Sequence, residues 1–413
     1  MRKNQVVLVP KYMERFQCIG DKCEDNCCYG WRVNINEEKY KKYRKVTNGD
    51  LKLLIEKNIK RNRSNPTSET YAKINMNKEG LCPFLCEDKL CRIHKELGPG
   101  YLSNVCSTYP RILNDVNGVV EKSLTVSCPE AARIMLLNES PMEFDEVVED
   151  LQSESFFSSS INTEDIRTKN KIERYFWDIR IFAISTIQNR DYSLADRLIL
   201  LGMAINKINN NIKSDINSIP NIISEYNQII ENKSLKEQLL NIPTNYAIQM
   251  EIMREINNFR FIDSISSNSI TYQQCVNESL KGIEYTKEST VEDIAEKYKQ
   301  GYEDYYKPYM KNHEYILENY IVNHIYKKLF PASIEKDIFR EYITIVLNYS
   351  LIKMVLIGMS RNFKELNESI IIRLIYSFSR AIEHDRNFMK NIQKVLDYNG
   401  FSTMAYMAIL IKN

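Results

Sequence analysis

The sequence predicts a mainly α protein, in which a small, irregular α+β cysteine-rich metal-binding domain precedes an all-helical domain. Two observations predict this fold class. Nine of the ten cysteines lie between Cys18 and Cys128, whereas the apolar residues after about residue 169 recur at helical spacing without any βαβ alternation. We therefore divide the chain into a cysteine-rich domain over 1–140, an acidic, serine-rich linker over 141–168 and a helical domain over 169–413.

Length and charge set the broad class of the protein. A chain of 413 residues is too long for one small core and predicts two domains. The formal net charge of +2 gives no field strong enough to hold nucleic acid, and we expect no such partner. Basic residues bunch at 39–45 and 57–63, where we expect solvated helix faces; a weak docking surface for an acidic partner or a membrane is the alternative.

The apolar segments indicate the compartment. Residues 6–9 are too few to form the apolar core of a signal peptide. The apolar stretch 342–359 has the length of a membrane span but carries Asn348, Ser350 and Lys353, so we expect a buried helix there. We therefore expect a cytoplasmic protein, in which disulfides are rare and clustered thiols point to metal or redox chemistry.

In the first 140 residues, short patterns predict strands and one helix. Residues 6–9 and the alternation of Trp31, Val33 and Ile35 predict strands, and residues 37–44 begin a helix. Asn117-Gly118 lies between two β-prone runs and predicts a type I′ hairpin, which would place Cys128 at the end of its second strand. For the linker we expect one helix at most.

The second half carries helical apolar stripes that we interpret as core. The predicted helices cover approximately 172–183, 194–208, 222–240, 245–259, 291–329, 335–359, 369–384 and 386–397. We predict no catalytic residue in this half, and we expect His313, His324 and His384 to be structural or exposed. Cys275 stands alone in a helical run and is expected to be buried, since a free cysteine packs as a small hydrophobic side chain.

The cysteine spacings predict a metal centre. They run C-x4-C-x3-CC from Cys18 to Cys28, then C-x3-C-x4-C from Cys82 to Cys91, followed by single cysteines at 106 and 128. Thiolates select zinc, copper(I) or iron–sulfur clusters, and a structural zinc or a 4Fe–4S cluster needs four of them. The chain could hold two centres, or one centre with spare thiols. Cys86 sits in a predicted turn and is as readily a spare thiol as a ligand.

Four strings carry a family resemblance. They are PKYMERFQCIGDKCEDNCCYGWRVNI, GLCPFLCEDKLCRIHKELG, CSTYPR and EKSLTVSCPEAAR. These strings resemble the flagellin lysine-N-methylase family. The resemblance extends more weakly into the helical half, through LENYIVNHIYKKLFP and SRAIEH. A shorter version of the same cysteine pattern resembles the broader zinc- or iron-chelating CxxCxxCC family.

The resemblance implies an activity, a substrate and two cofactors. It implies transfer of methyl groups from S-adenosylmethionine to lysine ε-amines on flagellin, in the bacterial cytoplasm, with a 4Fe–4S cluster required for activity. The family's cysteines fall on eight positions here, and which four hold a cluster stays open: Cys18, Cys23, Cys27, Cys28, Cys82, Cys91, Cys106 and Cys128. Cys86 is an extra cysteine in this pattern.

Lysine methylation makes chemical demands that suggest further residues. The amine must be held neutral near a proton acceptor, and aromatic rings can hold the sulfonium through cation–π contacts. Tyr29, Trp31 and Tyr109 lie near cysteines and are candidates for such a wall for S-adenosylmethionine. Arg111 could clamp its carboxylate through two hydrogen bonds. The alternative for all four is structural packing of the metal domain.

A second class of function also fits the sequence. In it the cysteines form structural zinc sites, and the helical half recognises a protein partner without chemistry. The oligomeric state is left open.

Overall fold

Helices dominate the structure. This computed structural model describes residues 2–29, 32–64, 66–151, 157–168, 171–258, 269–332 and 337–413. Within that part the fold is mainly helical, with a small N-terminal α/β region, as predicted. The strands of the described part are β1 (Arg2–Pro10), β2 (Asn34–Ile35), β3 (Ile59–Arg61), β4 (Ala72–Ile74), β5 (Arg111–Val116), β6 (Val119–Leu124), β7 (Phe144–Leu151) and β8 (Ser159–Ile161).

Five strands form one sheet in the order β7–β1–β6–β5–β8. Asn117 and Gly118, between β5 and β6, have φ values of 55° and 83°, the left-handed values that a type I′ turn needs at both central positions. The predicted hairpin and the strand predicted at 6–9 are thereby confirmed. Cys128 does not end the second strand. It lies beyond Leu124, at the N-cap position of helix α5 (Pro129–Leu136). The helix begins at Pro129, since proline is favoured at the first helical position.

The acidic segment 141–168, expected to be a linker, instead carries two strands of this sheet. Strand β7 pairs with β1 at one edge of the sheet, and β8 pairs with β5 at the other. Charged side chains are compatible with an edge strand, which keeps one side toward water. Lys122 Nζ also lies 2.6 Å from Glu149 Oε2 of β7. Acidic and serine-rich composition therefore does not by itself identify a linker.

A second, three-stranded sheet in the order β2–β4–β3 belongs to a separate unit with its own small core, which includes Ile35, Leu51 and Phe84. We call residues 27–108 the cysteine subdomain. Its helices are α1 (Glu37–Arg44), α2 (Gly49–Asn58), α3 (Arg92–Leu97) and α4 (Asn104–Thr108). The helix predicted at 37–44 is confirmed, and the Asn36 side chain caps it by accepting from the Lys39 backbone N–H.

The remaining helices form the helical body. They are α6 (Phe176–Ile187), α7 (Leu194–Asn211), α8 (Ile219–Glu231), α9 (Lys236–Leu240), α10 (Tyr246–Asn258), α11 (Ile270–Gly282), α12 (Val291–Gly301), α13 (Lys307–Met310), α14 (Tyr315–Lys327), α15 (Ile338–Phe363), α16 (Glu368–Phe378), α17 (Arg386–Tyr398) and α18 (Met404–Ile411). Helix α15 is apolar and long enough to span a membrane, but 94% of its most apolar window is buried inside the protein. It is a core helix, as predicted for 342–359.

Helices α11 and α15 cross at two glycines. A Cβ atom built on Gly282 would lie 1.8 Å from the carbonyl oxygen of Gly358, so neither backbone could stay in place beside a larger residue. The missing side chains are what allow the two helices to approach this closely.

The five-stranded sheet shares its hydrophobic core with the helical body. Leu124 at the end of β6 and Met135 of α5 are fully buried in the same cluster as the helices. Tyr12 Oη donates to Asn323 Oδ1 (2.6 Å), and Asn323 Nδ2 donates to the carbonyl of Leu124 (3.2 Å). Packing is therefore continuous across the division expected at residue 140.

A candidate thiol centre and its junction with the helical body

Five thiols surround one small cavity of the cysteine subdomain. The cavity has a volume of about 30 Å³, and its cysteines are Cys27, Cys28, Cys82, Cys91 and Cys106. Apolar side chains, among them Val33, Ile74 and Phe84, form most of the remaining wall. All five cysteines belong to the set of eight that the resemblance implies.

Local backbone structure brings these thiols together. The backbone N–H of Cys82 donates to the carbonyl of Cys28 (2.8 Å), which joins the first and second cysteine clusters. Cys91 is the residue that precedes helix α3, and it pairs with Leu85 across a β-bridge. Cys106 lies in the first turn of α4, where its N–H donates to the capping hydroxyl of Ser103 (3.3 Å).

Three of the thiols are hydrogen-bonded in a row. The hydrogen bond with Cys28, assisted by the charge of Arg380, lowers the pKa of Cys27 to about 7 against the opposing effect of burial. The same kind of bond lowers the pKa of Cys82, while Cys28, between the two, has its pKa raised well above the ordinary range. Burial raises the pKa of Cys106 to about 12. Cys27 and Cys82 are thus the thiols of this row that lose a proton most readily.

A second group of cysteines lies outside the cavity. Burial, together with the charges of Cys23 and Cys18, raises the pKa of Cys128 to about 12, so these three thiols are electrostatic neighbours. Cys86 lines neither group; its backbone N–H donates to the carbonyl of Leu90 in a turn (2.9 Å). Cys275 is buried in the helical body, as expected.

The donor set fits a soft metal, although the described residues hold no preformed coordination sphere. Across them, no three histidine, cysteine, aspartate or glutamate side chains stand together at metal-binding geometry. The chemistry of the set nevertheless suits zinc or an iron–sulfur cluster, because its donors are thiols and the wall around them is mostly apolar. The cavity therefore brings soft donor atoms together without forming a complete coordination site.

A guanidinium from the helical body reaches the cysteine segments. Arg380 Nη1 donates to Asp25 Oδ2 (2.8 Å), between Cys23 and Cys27, and Nη2 donates to the carbonyl of Ser127 (3.2 Å), beside Cys128. We call this contact region the junction. Sequence reasoning, which predicted no catalytic residue in the helical half, did not single out Arg380, although the string SRAIEH contains it and carries part of the family resemblance.

Hydroxyl groups and a histidine complete the junction. Ser127 Oγ lies 3.3 Å from Tyr109 Oη and 3.1 Å from Nε2 of His384. Burial raises the pKa of Tyr109, so its phenol stays protonated. These contacts form a hydrogen-bonded row from Tyr109 through Ser127 to His384, next to Cys128 in the chain.

Glu383, beside the junction, is bonded to Lys327 at the end of helix α14. Its carboxylate is 2.7 Å from Lys327 Nζ and accepts from Tyr320 Oη (2.5 Å) and Ser379 Oγ (3.0 Å). Burial alone would raise the pKa of Glu383, but the charges of Lys327 and His324 outweigh it and hold that pKa below its usual range.

The proposed residues for S-adenosylmethionine are only partly brought together. Tyr109 lies at the junction, whereas Arg111 stacks over the ring of Phe16, with 5.1 Å from the guanidinium carbon to the ring centre. Tyr29 forms a β-bridge with Leu81. Trp31 lies outside the described residues. Tyr29, Tyr109 and Arg111 are not among the residues that line the thiol cavity.

The fold and the site define a mainly helical protein with a cysteine-rich N-terminal unit held against its helical body. A family model described as the FliB lysine N-methylase C-terminal domain matches residues 180–410, which is more than half of the chain. The chain therefore belongs to that family. The matched part includes Arg380, Glu383 and His384 and excludes the N-terminal thiols.

Named relatives extend the similarity across the whole chain. The lysine-N-methylases of Salmonella typhimurium and Salmonella choleraesuis are each 23% identical to it over 407 residues, which is 96% of this chain and 96% of each relative. The flagellar biosynthetic protein FliU of Salmonella muenchen is 32% identical over 148 residues, which is 35% of this chain and 85% of that protein. No solved structure matches the chain.

Proposed function

We propose that this protein methylates lysine side chains of flagellin, with S-adenosylmethionine as the methyl donor and an iron–sulfur centre at the thiol cavity. The observation that carries the proposal is the convergence of five thiols on one cavity, within a chain that is similar over its whole length to two lysine-N-methylases. The reaction belongs in the bacterial cytoplasm, before flagellin is exported, and involves no nucleic acid.

The chain's own residues would hold the cluster. Its ligands would come from Cys27, Cys28, Cys82, Cys91 and Cys106, four of which suffice for a 4Fe–4S cluster. If three of these thiolates held it, the cluster would supply an iron that can bind the amino and carboxylate groups of S-adenosylmethionine. The wall around these thiols is mostly apolar, which suits soft thiolate donors.

The reaction also has to remove a proton from the lysine. The methyl group moves from the sulfonium to the neutral amine, and the resulting ammonium loses a proton to the protein or to water. Ser127 Oγ bridges Tyr109 Oη and His384 Nε2 at 3.3 and 3.1 Å. Burial lowers the pKa of His384 to about 4, so this imidazole is neutral and a weak proton acceptor, and the proton of the ammonium would pass to water.

Two matched variants test the function. Flagellin co-expressed with the wild-type protein should gain the mass of one or more methyl groups on lysine, as measured by peptide mass spectrometry. Cys82→Ser removes a cavity thiol and should abolish the modification. Cys86→Ser, in the same subdomain but away from the cavity lining, should retain it. Unmodified flagellin beside the folded wild-type protein would contradict the methylase proposal.

Metal analysis separates the two classes of function. Wild-type protein purified without air should contain iron and acid-labile sulfide, and Cys82→Ser should lose both. Zinc without iron, in a protein that leaves flagellin unmodified, would instead support a non-catalytic, zinc-binding interaction module.

A further inference from the structure

Helix α16 ends in a distorted turn that aims one side chain at the cysteine segments. Residues Ser379–Glu383 continue α16 as a single π-helical turn, and Asp385 caps the next helix, α17. A π-turn changes the direction in which side chains leave a helix and occurs often at functional sites. Here the turn carries Arg380 and Glu383, which face the junction and the Lys327 anchor respectively.

The Arg380 side chain contacts three separate parts of the N-terminal region. It binds the Asp25 carboxylate at 2.8 Å and the Ser127 carbonyl at 3.2 Å, and it also hydrogen-bonds Tyr109. Asp25 lies between Cys23 and Cys27, Tyr109 lies three residues after Cys106, and Ser127 precedes Cys128. Within the N-terminal region, one guanidinium therefore contacts each cysteine-bearing segment except the Cys82–Cys91 segment.

Burial makes these contacts sensitive to substitution. The Arg380 side chain is 6% exposed and that of Asp25 is 17% exposed. Removing one partner of a buried ion pair leaves a charge without compensation. Lysine is a poor substitute, because its three donors sit on a single nitrogen, whereas arginine reaches the carboxylate and the carbonyl from two separate nitrogens of a rigid plane.

We infer that Arg380 is a positioning residue, which holds the Cys23–Cys28 loop so that Cys27 and Cys28 stay at the cavity, and holds the Ser127–Cys128 turn of the second thiol group beside it. The inference rests on the proposed function only where it concerns a bound metal. The contacts by which Arg380 fixes the two segments belong to the chain itself and need no metal. Asp25 and Arg380 are 355 positions apart, so the helical body imposes this order on the cysteine loop from a distance in sequence.

Hydrogen–deuterium exchange of the reduced, metal-free, full-length protein tests the holding. In Arg380→Gln, backbone amides of residues 23–28 and 126–128 should exchange about tenfold faster or more, while those of α15 stay within about twofold of wild type. The matched control is Arg373→Gln on the same helix, whose guanidinium pairs with Glu278 of α11 inside the helical body. It should leave both cysteine segments within about twofold of wild type.

The variant Asp25→Asn tests the same inference independently if Arg380→Gln fails to fold. It weakens only the contact with the cysteine loop and keeps the bond between Arg380 and the Ser127 carbonyl. The amides of residues 23–28 should therefore exchange faster, while those of 126–128 remain protected. Wild-type exchange in both segments of either folded variant would overturn the inference, and so would equal loosening of both segments by Arg373→Gln.

Zinc titration measures whether Arg380 affects metal binding by the thiols, which a role in folding stability alone would not predict. With Zn²⁺ alone as the probe, in competition with a coloured chelator, Arg380→Gln should bind about tenfold more weakly than wild type, and Arg380→Lys should recover only part of the loss. Unchanged zinc affinity in Arg380→Gln would overturn the part of the inference that concerns the thiols. If wild type binds neither zinc nor iron, the metal proposal fails, while the exchange experiment still decides the role of Arg380.

Discussion

Arg180 and Glu121 form a completely buried ion pair that joins helix α6 to strand β6. Nη1 and Nη2 of Arg180 each donate to one carboxylate oxygen of Glu121 at 2.8 Å, and the side chains are 2% and 1% exposed. Arg180 Nη2 also donates to the Tyr326 carbonyl (3.0 Å). The sheet is thus attached to the helical body by a pair of charges without access to water.

Breaking this pair on one side should be costly. Arg180→Met leaves the Glu121 carboxylate buried without its partner, and we expect a loss of about 3–5 kcal/mol in the free energy of unfolding. The double variant Arg180→Met with Glu121→Leu removes both charges and should recover most of that loss. Urea unfolding followed by circular dichroism measures both values. A single variant within about 1 kcal/mol of wild type would contradict this prediction.

The glycine crossing should tolerate no added methyl group. In Gly282→Ala the new Cβ would meet the Gly358 carbonyl oxygen at 1.8 Å, so helices α11 and α15 must separate. We expect a loss of about 1–3 kcal/mol or more in the free energy of unfolding, measured by denaturant titration. Gly49→Ala is the matched control, because a Cβ there meets nothing within 4 Å, and it should be neutral or slightly stabilising.

His324 should make stability depend on pH. Burial lowers the pKa of His324 to about 3, whereas an unfolded histidine titrates near 6.5. Between these two pH values, the unfolded chain therefore binds a proton at His324 that the folded chain does not bind. The stabilisation is fully present above about pH 6.5 and is lost as the pH falls from there toward 3, by up to about 1.4 kcal/mol per pH unit.

The comparison of His324→Leu with wild type isolates this effect. The variant should show a shallower decline in the free energy of unfolding between about pH 6.5 and 4, measured by urea unfolding across that range. Carboxylates remote from His324, such as Asp397, titrate in both proteins and largely cancel in the difference. Parallel curves for the two proteins would show that His324 does not carry the dependence.

Metal removal should loosen the cysteine subdomain before the helical body. That subdomain has a separate small core, and the thiol cavity lies inside it, so the free energy of metal binding would stabilise it selectively. Chelation under reducing conditions, followed by limited proteolysis, should give cleavage within 27–108 and leave a resistant fragment of the helical body. Cleavage that starts in α14 or α15 instead would contradict the prediction.

Features encoded by neighbouring residues were predictable. Asn117-Gly118 specifies its turn because only residues that tolerate positive φ fit there, and the apolar content of 342–359 predicted a buried helix. The helix over Glu37–Arg44 likewise follows from its own residues and from the Asn36 cap. In each case the deciding interactions span a few positions.

Other features could not be read from local patterns. The segment 141–168 looks like a linker because its composition says nothing about the β1 edge with which its first strand pairs. The role of Arg380 depends on Asp25, and the grouping of the thiols depends on which loops meet when the subdomain closes. The spacing showed that the cysteines were numerous enough for a centre, without showing which five share a cavity.

The sequence by itself determined the mainly helical class, the hairpin and the concentration of thiols in the first third of the chain, because propensity and spacing act over short distances. Only the tertiary structure decided that Arg380 meets Asp25, that the expected linker completes a sheet, and that five thiols line one cavity. Those outcomes depend on the burial of charge and on strand pairing between remote segments, which become defined only once the chain has packed.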